Sequence, residues 1–266
     1  MTNTTSRRGF LKTGMIAAGV AMSRPGVFGA TGDPAVGLIF PPLNYPIPPD
    51  AKRLYPTGVE FLSGGVGLPG GMTLEGYDEA IPRVLPEAER LAKQGAKVIS
   101  VFGSSLTFYK GAKFNEELVS KVTKLTGCPA TTQSNGLVDG LRVVNAKRVA
   151  VATAYTDVVT VRLKLFLEEH GFEVISAKGL GYERIPQGAA TEPILFKLGV
   201  EAYMNSKADA LVMSCGALKT LDLIVPLENE LKVPVVSSTP HGLMNAVRLL
   251  GVSPRSKGFG IVLSRA

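Results

Sequence analysis

One thiol stands where a side chain could do chemistry: Cys215, in Ser214-Cys215-Gly216, directly after the apolar run 208–214 (ADALVMS). Polar junctions follow four other apolar runs. Pro41-Pro42 follow 35–40, and Gly103-Ser104-Ser105 follow 97–102 (KVISVF). Ala154-Tyr155-Thr156-Asp157 follow 148–153 (RVAVAT), and Ser237-Ser238-Thr239-Pro240-His241 follow 233–236 (VPVV). In open α/β sheets, function gathers just beyond the carboxyl ends of the strands. Together these junctions offer hydroxyls, a phenol, a thiol and small residues that leave backbone N–H groups exposed. Such a set suits a carboxylate: preorganised donors stabilise negative charge that grows during a reaction. A thiol with an ordinary pKa of about 8.5 is mostly protonated near neutrality, so it can deliver a proton to carbon.

Each residue also has a plainer reading. A cysteine after a buried strand is commonly a small core residue. Ser104 and Ser105 could cap a helix, Tyr155 could simply pack, and Asp157 is a credible N-cap. His241 opens a helical stretch and could bond only to backbone. Cys128, next to Pro129, reads as structural, although a Cys128–Cys215 disulfide remains an alternative in an oxidising compartment. The two cysteines and two histidines (His170, His241) are far apart in sequence, so no zinc or iron–sulfur site is expected.

The elements that would hold these junctions alternate regularly. Strands are expected at 35–40, 97–102, 148–153, 172–177, 208–214 and 233–237. Helices are expected at 75–94, 113–126, 157–170, 192–205, 221–231 and 242–250, with another beginning at 136–144. Pro82 and Pro86 must sit in the first turns of the 75–94 helix or break it. Continuous apolar strands between helices imply α/β architecture with parallel sheets buried on both faces. A long-period repeat is also visible. KVISVFGSS resembles ADALVMSCG, and CPATTQSNGLVDGLR (128–142) resembles VPVVSSTPHGLMNAVR (233–248) once one residue is inserted. Two pseudo-symmetric lobes are therefore expected, at 34–130 plus 238–266 and at 131–237, with the ligand in the cleft between them.

The 266-residue chain is 45% hydrophobic and 19% charged, which excludes a disordered chain. It has no Trp and only 7% aromatics, a poor supply of stacking platforms for single-stranded nucleic acid. The formal charge is +7, but Arg7, Arg8, Lys12 and Arg24 fall within the first 32 residues, which hold no acid. The remaining 25 basic residues face 22 acidic ones, so no nucleic-acid partner is expected. The start reads Ser6-Arg7-Arg8-Gly9-Phe10-Leu11-Lys12, then an apolar run from Met15 to Met22, then small residues around Val27-Phe28-Gly29-Ala30. Residues 1–31 thus match a twin-arginine export signal, cut near Gly29 or Ala30, and the run is too short to span a bilayer. The expected partner is the twin-arginine export machinery. The expected destination is the periplasm or the exterior, with no stable membrane anchor after processing.

From about Val36 to Gly251 the chain resembles the arylmalonate decarboxylase branch of the aspartate/glutamate racemase superfamily, near maleate isomerase. The strings that carry the resemblance in the first half are Phe40-Pro41-Pro42, Arg53-Leu54-Tyr55-Pro56, Glu75-Gly76-Tyr77-Asp78, and Gly103-Ser104-Ser105-Leu106 through Phe108-Tyr109. In the second half they are Ala152-Thr153-Ala154-Tyr155, Ser214-Cys215-Gly216 with Leu221-Asp222, and 233–238. Racemases and isomerases of that superfamily use two opposed cysteines. Here Gly103 occupies the first position and only Cys215 is present, the pattern of the decarboxylases. The resemblance implies a cofactor-free carbon–carbon lyase acting on a disubstituted malonate-type dicarboxylate. Cys215 would be the acid, and Ser104, Ser105, Tyr155 and Gly216 would hold the retained carboxylate. Pro41, Pro42, Met72, Tyr77 and Gly103 would shape the pocket. A maleate-isomerase-like or racemase-like enzyme is the alternative within the superfamily, and an exported carboxylate-binding protein is the alternative outside it. Two loops depart from the pattern: 68–72, with Pro69 and Met72, and 182–188, with Glu183, Arg184 and Gln187. The charge of the second loop points to a substrate other than a plain arylmalonate.

Overall fold

The structure, a computed structural model, describes Met1 and residues 32–266. The expected export signal at 1–31 lies outside the described residues.

Short apolar strands set the frame, because each can be buried only between two helical layers. In chain order the first half is β1 (Ala35–Phe40), α1 (Pro49–Leu54), β2 (Glu60–Gly65), α2 (Leu74–Ala80), α3 (Val84–Lys93), β3 (Ala96–Val101), α4 (Ser104–Phe108), α5 (Gly111–Thr126), β4 (Ala130–Thr132) and α6 (Gln133–Val143). The second half is β5 (Arg148–Thr153), α7 (Asp157–Glu169), β6 (Glu173–Gly179), α8 (Glu192–Tyr203), β7 (Ala210–Ser214), α9 (Leu221–Leu231), β8 (Val235–Ser237), α10 (Ser238–Leu249) and α11 (Ile261–Arg265). Every strand pair is parallel, and the sheets run β2-β1-β3-β4 and β6-β5-β7-β8. The two orders are the same order repeated, so the halves are pseudo-symmetric. The repeated strings KVISVF and ADALVMS supply the third strand of each sheet.

The expected 75–94 helix is in fact two. α2 ends at Ala80, a 3₁₀ turn (Ile81–Arg83) carries Pro82, and α3 starts so that Pro86 falls in its first turn. Proline lacks the N–H that a helix interior needs, and a first turn does not need it. α5 stops at Gly127, whose φ of +69° favours glycine. Sequence periodicity does not announce α1, β2, α4 or α11. β2 (EFLSGG) is a half-exposed edge strand, and the others are six residues or fewer, too short to show a period.

The boundary expected between 130 and 131 falls inside β4, where Thr131 and Thr132 pair with Ser100 and Val101 of the first sheet. α10 lies against β3, β4 and α1, while α6 packs against α10, α4, α11 and β8. These two helices thus form the seam between the halves. There the repeat's two matched glycines meet: a Cβ on Gly136 would lie 2.7 Å from the Gly242 Cα. Glycine at both positions lets the backbones approach this closely. A bidentate ion pair from Arg53 of α1 to Asp222 of α9 (2.6 and 2.9 Å) also ties the halves together.

Candidate active site

Strand register brings the polar junctions to one place. Ile39 pairs with Val101 in the first sheet, and Thr153 pairs with Ser214 in the second. The residues just past these levels therefore gather between the sheets. They enclose a cavity of about 340 Å³. The first half supplies Phe40, Pro41, Pro42, Tyr45, Phe102, Gly103, Ser104 and Ser105, with Leu68, Gly71 and Met72 from the 68–72 loop. The second half supplies Tyr155, Cys215, Gly216 and Ala217, with Glu183, Arg184 and Ile185 from the 182–188 loop. Every site residue named from the sequence is on this wall except Tyr77. Tyr77 does not line the cavity: it belongs to α2, is fully buried, and packs edge-on against Tyr109 with a ring-centroid separation of 5.2 Å. Its hydroxyl has no hydrogen-bond partner, although Ser105 lies near enough to oppose in part the rise in its pKa caused by burial.

Cys215 caps the end of β7 and is 5% exposed, so its sulfur touches the cavity without opening to bulk water. Both cysteines are free thiols, which removes the disulfide alternative; the Cys128 thiol donates to the Ala96 carbonyl at 3.3 Å. Burial pushes the Cys215 pKa up, and the nearby amides of Ala217 and Leu218 and the Tyr155 hydroxyl offset this only in part. The thiol is thus held protonated at neutral pH. The Met72 sulfur lies 4.0 Å from it. Burial, and then the proximity of Cys215, drive the Tyr155 phenol well above its ordinary range, so it too remains a donor.

The donors form one network. Ser104 Oγ lies 3.2 Å from Tyr155 Oη and 3.1 Å from Ser238 Oγ, and Ser238 Oγ accepts the Cys215 N–H at 3.2 Å. Among the described residues no acceptor takes the N–H of Ser105, in the first turn of α4, or that of Gly216. These amides and the Ser104, Ser105 and Tyr155 hydroxyls surround the thiol with uncharged donors, the arrangement that accommodates a carboxylate or an enediolate.

Gln133, which the sequence alone does not single out, holds the two halves of this set. It is fully buried. Its Oε1 accepts the Ser104 N–H at 2.9 Å, and its Nε2 donates to Thr239 Oγ1 at 3.3 Å. Thr239 in turn donates to the Gly216 carbonyl at 3.1 Å. Gln133 opens α6 and Thr239 lies in the first turn of α10, so the contact joins the starts of the two helices. A Cβ on Gly216 would come within 2.8 Å of Gln133 Oε1, which explains glycine beside the thiol. The repeated strings contain the signal for this pair, but only pairing the two strings in space reveals it. Among the described residues no three His, Cys, Asp or Glu side chains gather as metal ligands.

A family model described as arylmalonate decarboxylase matches residues 36–263. The arylmalonate decarboxylase of Bordetella bronchiseptica is 43% identical over 230 residues, 85% of this chain and 95% of that protein. A maleate isomerase of Nocardia farcinica is 27% identical over 56% of this chain and 60% of its own length. Among solved structures, a doubly substituted, liganded arylmalonate decarboxylase superposes with a TM-score of 0.83 at 41% identity, covering 88% of this chain and 100% of that one. The Nocardia farcinica maleate cis-trans isomerase with a covalent succinylcysteine shares the fold, with a TM-score of 0.81 at 21% identity over 88% of this chain and 100% of its own. With the family model spanning nearly all of the described residues, the chain belongs to the arylmalonate decarboxylase family of carbon–carbon lyases.

Proposed function

We propose that the chain decarboxylates α-substituted malonates to chiral monocarboxylic acids, with Cys215 as the proton donor. The carrying observation is a protonated, nearly buried thiol in the same cavity as the hydroxyls of Tyr155, Ser104 and Ser105 and the amide of Gly216. One carboxylate of the substrate accepts from that donor set. The other rests against the apolar wall, where loss of solvation raises its energy. The bond from the α-carbon to that carboxylate breaks and CO2 leaves. The electron pair passes into the retained carboxylate as an enediolate, whose two oxygens the donors stabilise. The Cys215 thiol then transfers its proton to the α-carbon from one side, which sets a single configuration, and the thiolate regains a proton from water. This sequence needs no bound cofactor, because the donor set holds the developing charge.

A single thiol suffices for this reaction, whereas racemisation and cis–trans isomerisation on this scaffold call for a second group where Gly103 stands. The test is incubation with α-methyl-α-phenylmalonate, following CO2 release and the enantiomeric composition of the product. Cys215→Ala is expected to lower kcat by about 10²–10⁴-fold, the usual worth of a positioned general acid. Full activity in that variant would refute the role of the thiol. Conversion of maleate to fumarate would favour the isomerase alternative, and tight binding without turnover would favour a carboxylate-binding protein.

A further inference from the structure

The cavity wall carries two charged residues, adjacent in sequence, on the 182–188 loop: Glu183 and Arg184. The Glu183 carbonyl accepts the Met72 N–H at 2.6 Å, which fastens this loop of the second half over the 68–72 loop of the first. Arg184 then lies along Gly71, exposed at the mouth of the cavity. Its Cγ and Nε come within 3.4 and 3.5 Å of the place where a Gly71 Cβ would be, and its guanidinium donates to the Pro69 carbonyl. Gly71, with φ of +72°, keeps both the turn and the room for this side chain. Among the described residues no carboxylate forms an ion pair with Arg184, Glu183 included. The guanidinium has five N–H donors, and one neutral carbonyl leaves most of its capacity unused.

The cavity is hydroxyl-lined and apolar apart from Glu183 and Arg184 at its mouth, and a guanidinium that no carboxylate pairs with there suits a second anion. That anion is unlike the carboxylate that leaves. A cation against the leaving carboxylate would stabilise the bound substrate more than the transition state, in which that charge is departing, and would slow the reaction. We propose that Arg184 binds a carboxylate on the substrate's α-substituent, so that the preferred substrates are malonates whose side arm ends in an anion. This assignment rests on the decarboxylase reading for its substrate class, but its binding test does not need turnover.

The experiment measures, by calorimetry on the full chain, the binding of phenylacetate, 3-carboxyphenylacetate, 4-carboxyphenylacetate and 4-(aminomethyl)phenylacetate, which are product-like acids. At least one carboxyphenylacetate is expected to bind about tenfold or more tightly than phenylacetate, the scale of one charge-assisted contact. Arg184→Leu is expected to abolish that preference, and Arg184→Lys to keep part of it. Equal binding of charged and uncharged acids by the unaltered protein would overturn the proposal. So would a preference that survives in Arg184→Leu, or tighter binding of the aminomethyl acid. The corresponding malonates are then assayed for CO2 release. If none reacts while the Arg184-dependent preference stands, the decarboxylase reading fails and the anion site does not.

Discussion

Cys215 keeps its proton because burial penalises the thiolate more than the Ala217 and Leu218 amides and the Tyr155 hydroxyl favour it. The pH profile of kcat/KM is therefore expected to hold level through neutrality, with an alkaline limb above the ordinary thiol range. A limb near neutrality that disappears in Cys215→Ala would contradict a protonated resting thiol. Gly103 faces the same cavity without a side chain, and a Cβ there would meet Pro41 Cγ at 2.6 Å and Cδ at 3.0 Å. Gly103→Cys is expected to add a second acid–base group. The product acid should then exchange its α-proton for deuterium and lose optical purity, faster when Pro41→Ala relieves the clash. Absence of exchange in both variants, followed by NMR in D2O, would count against a reaction fixed by one thiol on one face. Ser104, Ser105, Tyr155, Cys215 and Gly216 are readable in the sequence as candidates because each lies within four residues of the end of an apolar strand. Tyr77 shares a string with the site but is fully buried in α2 and does not line the cavity.

At the level of elements, α6 and α10 decide whether the donors of the two halves stay in register. Their first residues carry Gln133, Ser238 and Thr239, which together bind the backbone of Ser104, Cys215 and Gly216. Gln133→Leu would strand the buried Ser104 N–H, at a cost of about 1–3 kcal/mol of stability. The same change is expected to lower kcat by about tenfold or more through misplacement of the anion donors, which act only when preorganised. Urea melts and steady-state kinetics check the two effects separately, and a folded variant with unaltered kcat would remove Gln133 from the positioning of the site. Strings that look like catalytic signatures prove partly architectural: Arg53 and Asp222 pair across the halves, and Asp78 accepts from Tyr109 at 2.9 Å. A signature string marks what a family keeps, but whether a residue is kept for chemistry or for docking depends on what lies opposite it.

Across the whole molecule, the two halves meet closely where α6 packs on α10. His241 is fully buried there, with its Nε2 unpartnered and its Nδ1 beside the Ser237 backbone. Burial lowers its pKa from 6.5 to about 4, opposed only by Ser237. The unfolded chain therefore takes up a proton at a higher pH than the folded one. Stability is expected to be full above pH 6.5 and to fall by about 3 kcal/mol as pH drops from there towards 4. Denaturation curves between pH 4 and 7 would show this slope, and His241→Gln should flatten it; an unchanged slope in the variant would place the effect elsewhere.

Periodicity and repetition in the sequence by themselves determined the α/β class, two similar halves, and a site at the strand ends, because burying an apolar strand on both faces leaves only those ends free for polar groups. What only the tertiary structure decided was which of those ends meet. The packing of α6 on α10, the Gln133–Thr239 contact and the placing of Arg184 at the cavity all join residues far apart in the chain. Such contacts follow from the packing of two surfaces, and local propensity holds no record of that.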